Sequence, residues 1–339
     1  MRKVLLLITT LLVIAAAGAA IYWRHVNAVM QAPGPHPQVV QLQVVPGATV
    51  RAVLAELEAR GALEDRRAVE LVLRVRGSPQ IKSGRYEIPA RASPEQILRQ
   101  LAEGRVVLET LTVVEGWTFA DMRRVVEAHP RLKVTLRGKD LAGLMAAIGH
   151  PGENPEGRFF PDTYRFAAGT TDRELFALAY RKMAETLESA WQTRAAALPL
   201  ADSYAALTLA SIVEKETGLA SERARIAGVF TTRLRRNMRL QTDPTVIYGL
   251  GDSYDGNIRE RDLRTDTPYN TYTRAGLPPT PIALPSREAI EAVTRPLESG
   301  DIFFVATGNG DGSHVFSSTL EAHNAAVARY LARLRNQHR

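Results

Sequence analysis

The feature that most constrains this chain is an uncharged, apolar run close to its N-terminus. Arg2 and Lys3 precede the segment VLLLITTLLVIAAAGAAIY, residues 4–22, which contains no charged side chain. As a helix that rises about 1.5 Å per residue, the segment would be roughly 28 Å long, which matches a hydrocarbon core of about 30 Å. The run therefore predicts a transmembrane anchor over residues 4–23, preceded by a short N-terminus at residues 1–3.

A cleaved signal peptide is the alternative interpretation of this run. The small residues AAAGAA offer cleavage sites, but the apolar part of a signal peptide is typically about 7–15 residues long, so the length favours an uncleaved anchor. The charges of Arg2 and Lys3 predict a cytoplasmic N-terminus, although Arg24 and His25 on the other side weaken that asymmetry. No other segment is apolar enough to cross back, so we expect the rest of the chain outside the cytoplasm.

Composition narrows the chemistry and the partners. The chain has 339 residues and no cysteine, which excludes disulfides, thiolate catalysis and cysteine-ligated metals. Its formal charge of +7 suits partners that carry phosphates or carboxylates. The most basic stretch, TTRLRRNMR, is typical of one polar helix face, and no nucleic-acid-binding motif accompanies it. Anionic lipid or an acidic polymer is therefore favoured as the partner, and nucleic acid is not expected.

Residues 24–38 predict a linker, because the stretch QAPGPHPQ places prolines at every second position and stiffens the chain. Beyond it, residues 39–130 repeat one pattern three times: a short β-branched run, a capping Thr or Ser, and an amphipathic helix. The three caps are Thr49, Ser93 and Thr118. The first copy, a further helix and the strand GRYEI make a strand–helix–helix–strand unit that resembles a LysM-type glycan-binding module. A purely structural α+β module fits the same pattern.

Residues 131–339 predict a second, larger domain of mixed α+β class. A long helix is expected to begin at Thr171, whose hydroxyl and the carboxylate of Glu174 form a capping box. The runs IFFVA and HVFSS predict a β-hairpin near the C-terminus, followed by a closing helix. The segments LQTDPTVIYGLG, TPYNTYTRAGLPPTPIALP and GNGDGSHVF are interpreted as rigid loops, because glycine and proline punctuate them.

The stretch ALTLASIVEKETG, residues 206–218, combines an apolar helix with two carboxylates. No polar face interrupts its apolar residues, so we expect the helix to be buried all round and to terminate at Gly218. Glu214 and Glu216 are two residues apart and project about 200° from each other, so they cannot enter one cleft as an acid/base pair.

The position of these carboxylates suggests a chemical role. Desolvation and the negative end of the helix dipole both raise the pKa of a carboxyl at a buried helix C-terminus. A carboxyl that stays protonated near neutral pH is what proton donation to a departing sugar oxygen requires. The alternative is that both glutamates lie on the solvent rim and only solubilise the helix end.

Four long stretches of the sequence share one resemblance. They are LASIVEKETGLASERARIAGVFTTRLRRNMRLQTDPTVIYGLG, EGRFFPDTY, YNTYTRAGLPPTPIALP and SHVFSSTLEAHN. The sequence closely resembles the YceG-like family of endolytic murein transglycosylases in these stretches, and the resemblance covers nearly the whole chain. It implies an enzyme that cleaves the MurNAc–GlcNAc bond inside peptidoglycan strands without water and leaves a 1,6-anhydromuramic end. It also implies a single-pass inner-membrane protein with a periplasmic catalytic domain, whose partners are glycan strands and, as candidates, peptidoglycan synthases.

The resemblance implies that Glu216, the second glutamate of EKE, is the catalytic acid and that Glu214 is a supporting residue. No metal or cofactor is implied, and His314 and His323 are interpreted as structural because no carboxylate–histidine spacing supports a metal pair. Several softer candidates for substrate binding are packing residues in the alternative interpretation. They are Gln241, Thr242, Asp243, Tyr248, Tyr269 and Asn270.

Two other functions stay open at this point. A non-catalytic scaffold could bind peptidoglycan and position partner proteins, and a muramidase could hydrolyse the same bond with water. If the chain is a transglycosylase, residues 39–130 are expected to orient the strand and fix where the cut falls, since binding energy from remote sugars can position the scissile bond.

Overall fold

The structure, a computed structural model, describes residues 2–337 and is of mixed α+β class. Its backbone divides into two compact units. The third copy of the cap-and-helix pattern lies in the larger, C-terminal unit, and the division between residues 130 and 131 stays a prediction. Within the described range, unit 1 comprises residues 2–109 and 165–169, and unit 2 comprises residues 110–164 and 170–337.

Unit 1 contains the strand–helix–helix–strand order that the sequence predicts. Its elements are α1 (Arg2–Gln31), β1 (Val40–Val44), α2 (Val50–Ala59), α3 (Arg66–Arg76), β2 (Gly84–Ile88) and α4 (Pro94–Glu103). Strands β1 and β2 pair antiparallel with Leu42 opposite Tyr86, and both side chains are buried. The inner faces of α2, α3 and α4 join them in one hydrophobic core.

The predicted caps start the helices of unit 1. Thr49 Oγ1 accepts a hydrogen bond from the Ala52 N–H at 3.2 Å at the beginning of α2. At the beginning of α4, Ser93 and Gln96 form a reciprocal capping box, which satisfies two backbone N–H groups that have no partner inside the helix. Local sequence therefore sets where both helices begin.

Helix α1 continues past the predicted end of the anchor. Its segment Leu5–Gln31 is long and apolar enough to cross a membrane, by length and composition. The C-terminal part of α1 differs from the predicted linker, because residues 24–31 are helical. Val26 and Met30, 1% and 3% exposed, pack into the core of unit 1, where α1 contacts α3 and α4. The last turns of α1 therefore belong to the fold of unit 1.

Unit 2 is mainly helical and contains two small two-stranded sheets, of which the second, β5–β6, is antiparallel. Strand β3 pairs with β4, and β5 pairs with β6 as the predicted hairpin. Strands β3 and β4 each straddle the division between the units. The elements are β3 (Leu108–Thr112), α5 (Phe119–Ala128), α6 (Leu141–Ala147), β4 (Thr163–Ala167), α7 (Asp172–Gln192), α8 (Ser203–Glu216), α9 (Ala220–Arg235), α10 (Asp243–Leu250), α11 (Glu260–Arg264), α12 (Arg287–Thr294), β5 (Phe303–Ala306), β6 (His314–Ser317) and α13 (Leu320–Gln337).

Helix α8 lies at the centre of unit 2. Residues 206–213 are each no more than 2% exposed, which confirms the predicted burial on all sides. Helices α7, α9 and α12 pack around it in one hydrophobic core. Even the polar Ser211 is satisfied there, because its hydroxyl donates to the Thr208 carbonyl at 2.7 Å and accepts from the Ile282 N–H at 2.9 Å.

Two local expectations are corrected. The segment LQTDPTVIYGLG is not a loop throughout, because α10 begins at Asp243 and Pro244 lies in its first turn, where a missing N–H costs no helical hydrogen bond. Helix α8 ends at Glu216, two residues before Gly218, and the backbone of the intervening Thr217 is already extended, with φ −147°. Gly218 is not among the residues with positive φ, so its freedom to adopt a left-handed cap is not used.

The packing of α1 into unit 1 can be tested by changing valine to alanine at a buried position and, as a control, at an exposed one. Val26→Ala removes two buried methyl groups, so we expect it to destabilise unit 1 by about 2 kcal/mol. Hydrogen exchange of peptides from residues 40–104, measured on the full chain in micelles, reports that loss. Val39→Ala is the matched control, since Val39 is 56% exposed and its change should be nearly neutral. Equal protection in both variants would contradict the assignment of residues 24–31 to the fold.

Candidate active site

The carboxyl of Glu216 lies at the C-terminal end of α8, the helix whose residues 206–213 are buried in the core of unit 2. Asp202 caps the start of α8 by accepting a hydrogen bond from the Ala205 N–H at 2.8 Å, and Glu216 is the last helical residue. Helix α8 thus runs from the interior of unit 2 to an end at which the Glu216 side chain lies. That end is also the negative end of the helix dipole, which disfavours a carboxylate.

Thr242 fixes the orientation of the Glu216 carboxyl. Its hydroxyl donates a hydrogen bond to Glu216 Oε1. Thr242 is itself 2% exposed and rigidly held, because its N–H donates to Thr271 Oγ1 at 3.1 Å and its carbonyl accepts from Thr245 Oγ1 at 2.7 Å. One predicted cleft residue therefore contacts the candidate acid directly.

The surroundings raise the pKa of Glu216 to about 7. Burial is the largest cause, and the nearby negative charge of Asp243 acts in the same direction. The hydrogen bond from Thr242 and the positive charges of His314 and Arg233 oppose this increase. The balance leaves a substantial fraction of Glu216 protonated at neutral pH, which suits a general acid.

Arg233 places a buried positive charge near this carboxyl. Its side chain on α9 is 7% exposed, and its N–H groups donate to the carbonyls of Ile302 at 2.7 Å and Leu240 at 2.8 Å. Burial lowers the pKa of Arg233, whereas the charge of Glu216 raises it. Because these hydrogen bonds go to neutral carbonyls, the guanidinium charge stays available to stabilise Glu216 once its proton has left.

His314 also acts on the Glu216 carboxyl, whereas the sequence suggested only a structural role for it. Glu222, in the first turn of α9, accepts from the His314 backbone N–H at 3.0 Å and contacts its ring Nδ1 at 2.7 Å. The ring is thereby fixed at the start of β6, where a positive charge on it favours the carboxylate form of Glu216. The signal available in the sequence was the short spacing between Glu222 and Glu216, together with the histidine at the beginning of the predicted hairpin strand.

Glu214 serves the packing of unit 2. Its side chain is 6% exposed, and its Oε2 accepts hydrogen bonds from both the N–H and the hydroxyl of Ser286, the cap of α12. Its Oε1 lies 3.6 Å from Arg223. Glu214 and Glu216 therefore have separate partners, in agreement with their predicted angular separation, and they do not form an acid/base pair.

The other predicted residues divide between two places. Gln241 and Asp243 are exposed beside Thr242, and Tyr272 donates to Asp243 Oδ1 at 2.6 Å. Gln241 has φ 51°, an uncommon value for a residue other than glycine and often associated with functional loops. These residues form the rim beside Glu216, so their predicted role in substrate binding remains a proposal.

Tyr248 and Tyr269 lie at the far end of α10, with ring centroids 4.9 Å apart. Tyr269 shares a 2.9 Å hydrogen bond with Thr280. Asn270 is 1% exposed, and its amide donates to the carbonyls of Asp262, Leu263 and Thr265. Asn270 thus holds its own loop together, and its predicted role in substrate binding, like those of Tyr248 and Tyr269, stays a prediction.

Glu156 is a second buried acid, which sequence reasoning missed. It is 6% exposed, Oε1 accepts from the Phe119 N–H at 2.9 Å, and Oε2 accepts from the Tyr248 hydroxyl at 3.0 Å. Burial raises its pKa to about 7, against the partial compensation of these hydrogen bonds. No cluster of three or more His, Asp or Glu side chains suited to a metal occurs within residues 2–337.

Comparison with known proteins places this chain in a family. The model of the YceG-like family matches residues 42–329. The chain belongs to the YceG-like family. A Bacillus subtilis relative named endolytic murein transglycosylase is 27% identical over 317 residues, which cover 86% of this chain and 85% of the relative.

Other relatives extend the comparison. A Streptococcus pneumoniae D39 protein of the same name is 27% identical over 332 residues, and the match covers 86% of this YceG-like chain and 58% of that protein. The chain thus spans less than two thirds of the pneumococcal relative. A crystal structure of a yceG-like protein from Listeria monocytogenes aligns with a TM-score of 0.51 and 27% identity, over 85% of this chain and 99% of that one.

Replacing Glu156 by Gln should stabilise this YceG-like protein at alkaline pH. The amide reproduces the protonated carboxyl, since its oxygen can accept from Phe119 and its NH2 can donate to Tyr248. The folded pKa of about 7 exceeds the ordinary 4.5, so the folded parent binds more protons between these values and its stability falls as pH rises through them. The variant should match the parent near pH 4 and exceed it by about 3 kcal/mol above pH 7.

Chemical unfolding at pH 4, 6 and 8 measures this difference. The matched control is Glu185→Gln, the same change at an exposed position of α7, which should leave the pH dependence of the parent in place. A Glu156→Gln variant whose advantage does not grow between pH 4 and 8 would show that Glu156 is not a buried, neutral acid.

Proposed function

We propose that this protein is an endolytic lytic transglycosylase that cleaves the MurNAc–GlcNAc bond of peptidoglycan and leaves 1,6-anhydromuramic ends. The observation that carries the proposal is the carboxyl of Glu216 at the end of α8, which Thr242 orients and whose pKa burial raises to about 7. The names of the curated relatives support the reaction class and the murein substrate. In this role the enzyme would trim or terminate strands during cell-wall synthesis.

The proposed reaction uses Glu216 twice. Protonated Glu216 donates its proton to the bridging oxygen, the C1–O bond breaks, and the carbonyl oxygen of the substrate's own N-acetyl group bonds to C1. The Glu216 carboxylate then takes the proton of the C6 hydroxyl, whose oxygen displaces the acetamido oxygen at C1. No water is consumed, and the acid is regenerated. Substrate assistance thus replaces the second carboxylate that ordinary retaining enzymes use as nucleophile.

The electrostatics support both halves of this cycle. Burial keeps Glu216 protonated for the first step, and Arg233 and His314 stabilise the carboxylate that must exist before the second. A pKa near the working pH is the compromise that one group needs when it acts first as acid and then as base.

Hydrolysis of the same bond is the second candidate, and one observation favours it. Asp243 is exposed on the rim and close enough for its charge to raise the pKa of Glu216. A water bound by Asp243 could attack C1 in place of the C6 hydroxyl. The Tyr272 hydroxyl, which donates to Asp243, holds that carboxylate in place for either reaction.

Glu216→Gln should abolish turnover while the protein stays folded. The amide keeps the side chain's size and an acceptor for Thr242 but has no transferable proton, so we expect a loss of about a thousand-fold or more. Mass spectrometry of products released from purified sacculi measures the rate and identifies anhydro ends. Products heavier by one water would instead identify a muramidase.

Glu214→Gln is the matched control on the same helix. It keeps an acceptor for Ser286 and lies away from Thr242, so it should retain most of the activity with some loss of stability. Appreciable turnover by folded Glu216→Gln would remove Glu216 from its catalytic role. Absence of products from the parent would favour the non-catalytic scaffold.

We further propose that α1 anchors the enzyme in the inner membrane, with a cytoplasmic N-terminus and a periplasmic catalytic unit. The apolar run at residues 4–22 within α1 supports a single span, and Arg2 and Lys3 support the orientation. The strand–helix–helix–strand part of unit 1 is proposed to orient glycan strands, and peptidoglycan synthases remain candidate partners.

Alkaline carbonate extraction of membranes tests the anchor. We expect the mature protein in the pellet with residues 4–22 still attached, because an apolar helix of this length stays in the bilayer when peripheral proteins are stripped. N-terminal sequencing provides the control. Recovery in the supernatant with a new N-terminus near Ala20 would identify the run as a signal peptide.

A further inference from the structure

Unit 2 has a concave surface beside α5 that the proposed reaction at Glu216 leaves without a role. An open pocket of about 470 Å³ lies beside α5, and its lining includes Ala120, Leu141, Asn154, Glu156 and Tyr248. Leu141 is 48% exposed, so an apolar wall faces solvent there. Pockets of this size are large enough to hold a small ligand.

The lining combines apolar and hydrogen-bonding surface. Ala120, Leu141 and Pro155 contribute aliphatic contacts, while Asn154 and the carboxyl of Glu156 contribute polar groups. Asn154 Oδ1 accepts from the Glu156 N–H at 2.9 Å, which leaves its NH2 group as a donor toward a ligand. Such a surface fits a ligand that has both a carbon–hydrogen face and several hydroxyl or amide groups.

The charges at the pocket are balanced, which argues against an anionic ligand. Arg123 pairs with Glu127 at 2.7 Å, and Arg124 pairs with Asp121 at 2.9 Å. Burial raises the pKa of Glu156 to about 7, so this carboxyl carries only part of a negative charge at neutral pH and no positive charge is left to attract an anion. A lipid tail is also disfavoured, because its contact with this lining would desolvate unpaired polar groups. A neutral sugar meets both conditions.

Helix α10 joins this pocket to the proposed active site. Thr242, directly before α10, binds Glu216, and Tyr248 near its end binds Glu156. These two residues are separated by roughly 9 Å along the helix axis. A linear polymer whose scissile bond lies at Glu216 could therefore reach the pocket with a sugar further along the same strand.

We propose that the pocket between Ala120, Asn154 and Tyr248 is a distal subsite that holds an N-acetylated hexosamine of the glycan strand. This inference rests on the proposed function, because the sugar in the pocket would belong to the glycan strand that is cut at Glu216. The subsite contributes affinity away from the reacting atoms and helps to fix where along a strand the bond is cut.

Filling the pocket tests the proposal. Ala120→Trp places a large ring into the lining from an exposed position of α5, and Ala128→Trp makes the same change at an exposed position of that helix outside the lining. The probe is chitotetraose, added to the full chain in micelles. Hydrogen exchange of peptides from residues 119–127 and 151–157 reports binding at this pocket separately from any binding by unit 1.

The parent and Ala128→Trp should gain protection in these peptides, with the same chitotetraose concentration dependence. Ala120→Trp should need about ten-fold more probe or show no protection. On long strands it should raise KM and change the product lengths, with kcat affected less. Asn154→Ser keeps an acceptor for the Glu156 N–H but removes the NH2 donor, so it should weaken binding several-fold. This smaller change tests the subsite even if Ala120→Trp does not fold.

The outcomes separate this inference from the proposed reaction. Absence of protection in the parent, or equal protection in the parent, Ala120→Trp and Asn154→Ser, would overturn the subsite. The binding readout does not require turnover, so a subsite that binds chitotetraose in a chain that releases no anhydro products would contradict only the proposed reaction.

Discussion

The burial of α8 on all sides is the constraint on which the rest of unit 2 depends. A helix without a polar face needs neighbours on every side, and α7, α9 and α12 provide them. The same burial brings the Glu216 carboxyl to an edge where water is scarce and the helix dipole is unfavourable. The hydrophobic packing that stabilises the unit therefore also keeps a proton on its candidate acid.

The groups around Glu216 arise from elements that are distant in sequence. Thr242 comes from the turn before α10, Arg233 from α9, and His314 from the start of β6. Each is fixed by further contacts, such as those of Glu222 with His314. A carboxyl with so many fixed neighbours loses little energy to reorganisation when its charge changes, which is the property that proton transfer demands.

Unit 2 contains two carboxyl groups whose pKa values are raised to about 7, and their hydrogen bonds distinguish them. Both oxygens of Glu156 are engaged, by the N–H of Phe119 and the hydroxyl of Tyr248. Glu216 accepts a hydrogen bond from the Thr242 hydroxyl on one of its two oxygens, Oε1. Glu156 therefore ties the start of α5 to α10, whereas Glu216 retains an oxygen that can exchange a proton with a ligand.

The sequence by itself determined the features that depend on neighbouring residues. The apolar run before residue 23, the caps at Thr49 and Ser93, the buried α8 and the opposite directions of Glu214 and Glu216 all follow from local spacing and composition. The sequence also carried the family resemblance that singles out Glu216. The tertiary structure decided what depends on contacts between distant segments: the continuation of α1 into the core of unit 1, the use of Asn270 as a loop clamp, and the partners of Glu156 and His314. Burial and charge proximity are properties of the packed chain, so the pKa values that make these acids chemically distinctive could only be read after folding.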